Sequence, residues 1–71
     1  MNLTDAKEGT QYTVSGVKVE DDGVSSFLFS LGCYSGQPIT VIFRRRAGYI
    51  VAIKDARYSI DKRLAEAIEI V

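Results

Sequence analysis

The chain has no histidine, one cysteine and one proline. Without histidine it lacks the commonest general base at neutral pH and the commonest ligand for transition metals. A single cysteine, Cys33, excludes an internal disulfide and any cysteine-based structural zinc site, and no imidazole is available to activate it. One cysteine also accords with a cytosolic protein. Net charge is missing too: nine lysines and arginines balance nine aspartates and glutamates. No global field therefore draws the chain to nucleic acid or to a membrane. No apolar run approaches the length needed to cross a bilayer, which argues against membrane insertion. The opening MNLTDAKEG has neither the basic nor the apolar region of a secretory signal. G-x-x-x-x-G-K-S/T, G-x-G-x-x-G and G-x-S-x-G are all absent, which removes phosphate loops and nucleophile elbows. Carboxylates alone would have to carry any catalysis, so the chain reads as a non-enzyme with no small-molecule substrate.

What remains is a compact, half-apolar chain of 71 residues, of which 46% are hydrophobic. That length suits one domain, residues 1–71, that buries only about 60% of the surface its unfolded chain exposes. Tight turns and well-patterned strands must supply what core volume cannot.

Leu3 to Ala6 suggests a short helical turn capped by Thr4 or Asp5 and broken at Gly9. In TQYTVSGVKV, Tyr12 and Val14 share one strand face while Val17 and Val19 have the opposite parity. Both pairs face one core only if the strand is bulged or bent at Gly16. The acidic run EDDG forms a turn, with Asp21 or Asp22 capping the next helix. In that helix Val24, Phe27, Leu28 and Leu31 fall at i, i+3, i+4 and i+7.

The stretch LGCYSGQP then makes a sharp corner. Gly32 stands where a left-handed helix cap is wanted, Gly36 permits a second positive φ, and Pro38 suits only the outset of a strand. Cys33, just behind the helix stop, suits a small buried apolar residue. Beyond it Ile39, Val41 and Phe43 point one way, and Thr40, Ile42 and Arg44 the other. RRRAGY turns the chain with Ala47-Gly48 as its apex. On the returning strand Tyr49, Val51 and Ile53 oppose Ile50 and Ala52. KDAR turns again into a short strand marked by Tyr58 and Ile60. Asp61 caps the single turn KRLAEA, where Leu64 and Ala67 pack inward, and Ile68 and Ile70 mark a closing strand. Five short strands, one helix and one or two helical turns describe a mainly β, small SH3-like barrel.

Three local features invite a functional reading. Glu20, Asp21 and Asp22 resemble oxygen ligands for a hard cation, but EF-hand spacing is missing and helix capping accounts for the cluster. Ferrous iron finds no imidazole and a lone thiolate, so neither metal nor cofactor is expected. Arg44, Arg45 and Arg46 form the strongest charge run. They serve either as a solubilising hairpin arm that blunts an edge strand or as a basic grip on phosphate or RNA with Tyr49. Affinity for nucleic acid needs several phosphate contacts, which three arginines alone do not supply. Phe29 lies off the helix stripe, and Tyr34 projects beside it from the corner. The two rings either anchor a partner or wrap the edge of the core.

The segments LTDAKEGTQYTVSGV, FLFSLGCYSGQPITVIFR and RYSIDKRLAEAIEIV together resemble the FeoA family, the ferrous-iron transport protein A domains, over nearly the whole chain. Leu3 and Gly9 match the family's Leu-x-x-x-x-x-Gly, Leu31-Gly32 and Gly36 its Leu-Gly corner, and Ile68 with Ile70 its closing Ile-x-Val. Cys33 replaces the usual aliphatic, Ser35 a common proline and Ala56 a frequent glycine before Arg57-Tyr58. The 44–49 hairpin is also shorter than usual. The resemblance implies an SH3-like barrel in the cytoplasm, without catalytic activity, that assists FeoB, a membrane permease with a cytosolic GTP-binding domain. It also brings to mind metal-dependent repressors that end in a similar domain. Partner contact is then expected at Phe29 and Tyr34, with Arg44, Arg45, Arg46 and Tyr49 as a second surface. The alternative is a small SH3-like nucleic-acid-binding module using the Arg44–Arg46 hairpin.

Overall fold

A computed structural model describes residues 1–18 and 22–71. A 3₁₀ turn, Leu3–Asp5, precedes strand β1, Gln11–Val17. Helix α1, Asp22–Ser30, leads through the corner to β2, Pro38–Arg45. Then follow β3, Gly48–Ile53, β4, Ala56–Ile60, helix α2, Lys62–Ala67, and β5, Ile68–Ile70. The strands form one antiparallel sheet in the order β4-β3-β2-β1-β5.

Closure of the sheet depends on β1. Its first residues, Gln11 to Thr13, pair with β2, while Val14 to Val17 pair with β5. The ladder to β5 shifts register between Val14 and Gly16, at the bend that the parity of Tyr12, Val14 and Val17 requires. A strand that turns at a bulge can serve two neighbours lying at an angle, which is how a short sheet curls into a barrel. Leu3, Val14, Leu28, Ile39, Val41, Val51, Ile53, Ile60, Ile68 and Ile70 fill the interior, and Ala65 of α2 closes it. The result is a mainly β, SH3-like barrel that has, among the described residues, five strands, helix α1, the shorter helix α2 and one 3₁₀ turn.

Several local expectations are met. Gly32 has φ +91° and Gly36 φ +93°. The Cys33 N–H donates to the Leu28 carbonyl at 2.9 Å and the Gly32 N–H to that of Phe29 at 3.0 Å. This crossed pair satisfies the last carbonyls of α1, as a left-handed glycine cap should. The Asp61 side chain accepts from the Leu64 N–H at 2.9 Å and caps α2. Ala67 is buried and Leu64 half-buried, while the fully buried Ala65 had no distinguishing pattern.

Other expectations fail for identifiable reasons. The first turn is capped by Asn2, not Thr4 or Asp5: the Asn2 side chain accepts from the Thr4 N–H at 2.9 Å, and Asp5 accepts in return from the Asn2 N–H at 3.1 Å. Phe27 is 50% exposed. Leu28 is the residue of α1 that is fully buried, and Phe27, about 100° around the helix from it, falls at the margin of the buried face. Phe43 is 48% exposed because β2 slips register between Val41 and Phe43, which reverses the alternation that carries Ile39 and Val41 into the core. The hairpin apex is Arg46-Ala47, since Gly48 already pairs with Arg45. Asp22 stands in the first turn of α1. The expectations for Val19, Glu20 and Asp21 lie outside the described residues.

Candidate interaction surface

The corner after α1 is a rigid platform. Beyond the glycine cap, the Gly36 N–H donates to the Val14 carbonyl at 2.8 Å and the Val14 N–H to the Gln37 carbonyl at 2.9 Å. Backbone pairing on both sides holds residues 32–37 against β1, so side chains leaving the corner have a fixed origin. Cys33 points inward, and burial pushes its thiol pKa up from 9.0 to about 11. At neutral pH it is a protonated, inert core residue.

Phe29 is 64% exposed, and its ring centroid lies 4.8 Å from that of Tyr34 at an interplanar angle of 31°. The two rings therefore meet on the outside, and Phe29 does not fold over the core edge. Tilted rings at this distance attract one another and hold each other's rotamers. A third member joins them from the β3–β4 turn. The Lys54 ammonium donates to the Tyr34 hydroxyl at 3.1 Å and lies 5.2 Å from the centre of that ring. Lys54 has φ +57°, a left-handed conformation that a long side chain seldom adopts. Nothing in KDAR marks Lys54 as a partner of Tyr34, twenty residues earlier. A cleft of about 370 Å³ opens beside the group, lined by Phe29, Leu31, Gly32, Lys54, Ala56 and Tyr58.

The arginine hairpin is divided in its duties. The Arg44 guanidinium donates to the Thr4 carbonyl at 3.1 Å and also to that of Ala6. The Arg44 N–H donates to a Glu8 carboxylate oxygen at 2.7 Å. Arg44 thus fastens the N-terminal turn to β2, with its guanidinium 6.0 Å from the Tyr49 ring centre. Arg45 lies 5.2 Å from the centre of the exposed Phe43 ring. Arg46 stands at the apex, and no ion pair ties it to another described residue. No hydrogen bond, ion pair or ring contact joins Phe29 and Tyr34 to Arg44, Arg45, Arg46 or Tyr49 among the described residues.

Among the described residues no three acidic, cysteine or histidine side chains converge as a metal-holding group. Among the described residues no helix is long and apolar enough to cross a membrane. No side-chain polar atom is left buried without a partner among them. The fold is a small barrel that carries aromatic and basic side chains on two parts of its surface.

The FeoA domain family model matches residues 1–71, and the chain belongs to that family. The fold matches a crystal structure of an iron uptake regulatory protein (FeoA) with a TM-score of 0.87 and 22% identity, over 99% of this chain and 93% of that one. FeoA of Stenotrophomonas maltophilia, crystallised with zinc and described as a prokaryotic SH3 domain protein, matches at 0.88 and 17% identity, over 100% and 89% of the two chains. A manganese-dependent transcriptional repressor matches at 0.90 and 25% identity over the whole of this chain. That match covers only 40% of the repressor chain. No curated protein shows a significant match to the sequence.

Proposed function

We propose that residues 1–71 act as a single-domain, non-enzymatic accessory protein of ferrous-iron uptake in the cytoplasm, binding and modulating the FeoB-type permease through its cytosolic GTP-binding part. The observation that carries this reading is the Phe29–Tyr34 pair, an exposed ring tilted against a half-buried one on the corner after α1, in a member of the FeoA family. The description of the Stenotrophomonas maltophilia protein as a candidate bacterial ferrous iron transport activating factor supports the same role. Phe29 and Tyr34 supply the apolar anchor of the contact, the kind of residue on which binding energy concentrates. Arg45, Arg46 and Tyr49 supply a second, charged contact, with Arg44 holding the hairpin in place.

Capture of the permease's cytosolic region by wild type and by Phe29→Ala tests the reading. Truncation of a central aromatic anchor lowers affinity by a factor of about 30 or more. Equal capture by the variant removes Phe29 from the interface. No capture by either protein refutes the permease as partner.

A further inference from the structure

Overall neutrality conceals a lopsided distribution of charge. Residues 44–63 hold seven of the nine cations and only two of the nine acids. They form the end of β2, all of β3 and β4, and the start of α2. One margin of the sheet is therefore basic, and it ends in β4.

The two margins differ in another way. At β5 the outer side is occupied by the N-terminal segment: the Ile70 N–H donates to the Met1 carbonyl at 2.8 Å, and Asn2 forms a bridge with Glu69. Strand β4 has β3 on one side and, among the described residues, no backbone partner on the other. Its ladder runs from Ala56 to Ile60 without a register shift, unlike the ladders that β1 makes with β5 and β2 with β3. The two-residue turn Lys54-Asp55 closes on the Ile53–Ala56 pair. Alternation along an antiparallel ladder then turns the N–H and C=O of Arg57 and Ser59 outwards. Natural edges are protected by proline, bulges or charge, and β4 has only the charge of Arg57.

We infer that β4 accepts an extended, acidic peptide segment of a partner protein as an added strand. The outward groups of Arg57 and Ser59 pair with the peptide backbone, and its carboxylates meet Lys54, Arg57 and Lys62. Neither Lys54 nor Arg57 has a carboxylate partner among the described residues, and the Lys54 ammonium rests on the neutral Tyr34 hydroxyl and ring, which leaves its charge unneutralised there. The cleft at the Ala56 end, lined by Phe29 and Tyr58, receives an apolar side chain of the incoming strand. Pairing of β4 with a second copy of itself would bring two basic margins together, which like charges disfavour. A nucleic acid would satisfy the cations but not a row of alternating backbone donors and acceptors. The inference does not rest on the iron-uptake reading, because the acceptor strand is defined whichever protein supplies the segment.

The test is an amide-resolved NMR titration of the whole chain with a capped peptide of alternating glutamate and valine. The matching lysine–valine peptide and a single-stranded oligonucleotide serve as comparisons. The expected result is binding of the acidic peptide below about 1 mM, with the Arg57 and Ser59 amides shifted and protected from exchange. Ser59→Pro removes an outward donor that β3 does not use. Arg57→Glu reverses the charge on the same edge. Each weakens binding by about tenfold or more, the scale of one lost hydrogen bond or ion pair. Thermal melts identify a variant that fails to fold, and the other then decides. Three results overturn the inference: no binding at that concentration, binding that leaves the β4 amides unprotected, or stronger binding of the basic peptide or the oligonucleotide. Failure of the permease capture leaves this titration unaffected, so the two readings fail separately.

Discussion

Gly48 passes so close to Ile60 that a Cβ on it would stand 2.3 Å from the Ile60 carbonyl oxygen. The obstacle is backbone at the end of β4, and no side-chain rotation relieves it. Gly48→Ala is therefore expected to destabilise the domain by about 1–3 kcal/mol, the usual cost of forcing atoms into a filled site. Urea unfolding measures it, and an unchanged midpoint would mean that β3 and β4 are further apart than described.

Lys54 carries the left-handed conformation of the β3–β4 turn at φ +57°. Both variants lose the Tyr34 contact, but glycine adopts that conformation freely whereas alanine retains the strain. Lys54→Gly should accordingly be more stable than Lys54→Ala by about 1 kcal/mol. Equal stability of the two variants would show that the turn relaxes without strain.

Arg44 is expected to matter for stability where its neighbours do not. Arg44→Ala removes the donor shared by the Thr4 and Ala6 carbonyls and should cost about 1–2 kcal/mol. Arg45→Ala and Arg46→Ala should stay within about 0.5 kcal/mol of wild type, as surface substitutions do. Hydrogen exchange at residues 2–9 reads the local effect: faster exchange in Arg44→Ala alone is the expected pattern.

Burial of Cys33 predicts a pH dependence at the alkaline end. The thiol pKa rises from 9.0 to about 11 on folding, so the folded state holds the proton more tightly. The associated stability is fully present below pH 9 and is lost progressively as pH rises through about 11. It amounts to about 2–3 kcal/mol at most. Cys33→Ala should remove this slope from a stability–pH profile. In the folded wild type, a thiol reagent at neutral pH should label Cys33 only as fast as the protein opens.

Much of this was readable from local chemistry. Gly32, Gly36, Pro38 and Asp61 each meet a demand that arises within a few residues: a positive φ, a strand start without a donor, an oxygen for orphan N–H groups. Parity alone located the bend in β1, because Tyr12 and Val14 could not share a face with Val17 otherwise. The errors share a different origin. Phe27 and Phe43 lie on apolar patterns that look continuous in sequence, yet how much of a helix is covered, and where a ladder slips, depends on elements far along the chain. The hairpin apex moved by one residue for the same reason, since Gly48 is required by Ile60 and not by the turn itself.

The candidate surface divides along the same line. The angle of Phe29 on the helix put it off the apolar stripe, with Tyr34 beside it across the short corner, but whether the rings wrap the core edge or lie outside was decided by the structure. Lys54 joins them only because β3 and β4 bring their turn back to the end of α1. The open edge of β4 and the basic margin around it likewise arise only when the sheet is assembled.

By itself the sequence settled which segments become strands, turns and helices and that no histidine, disulfide or cysteine cluster offers a reactive centre, because these depend on residue identity and near neighbours. The tertiary structure alone decided which apolar side chains are covered, which arginine is tied down and which strand is left at an edge. Those outcomes depend on distances between residues remote in sequence, and a thin barrel has room to satisfy only some of the patterns written along its chain.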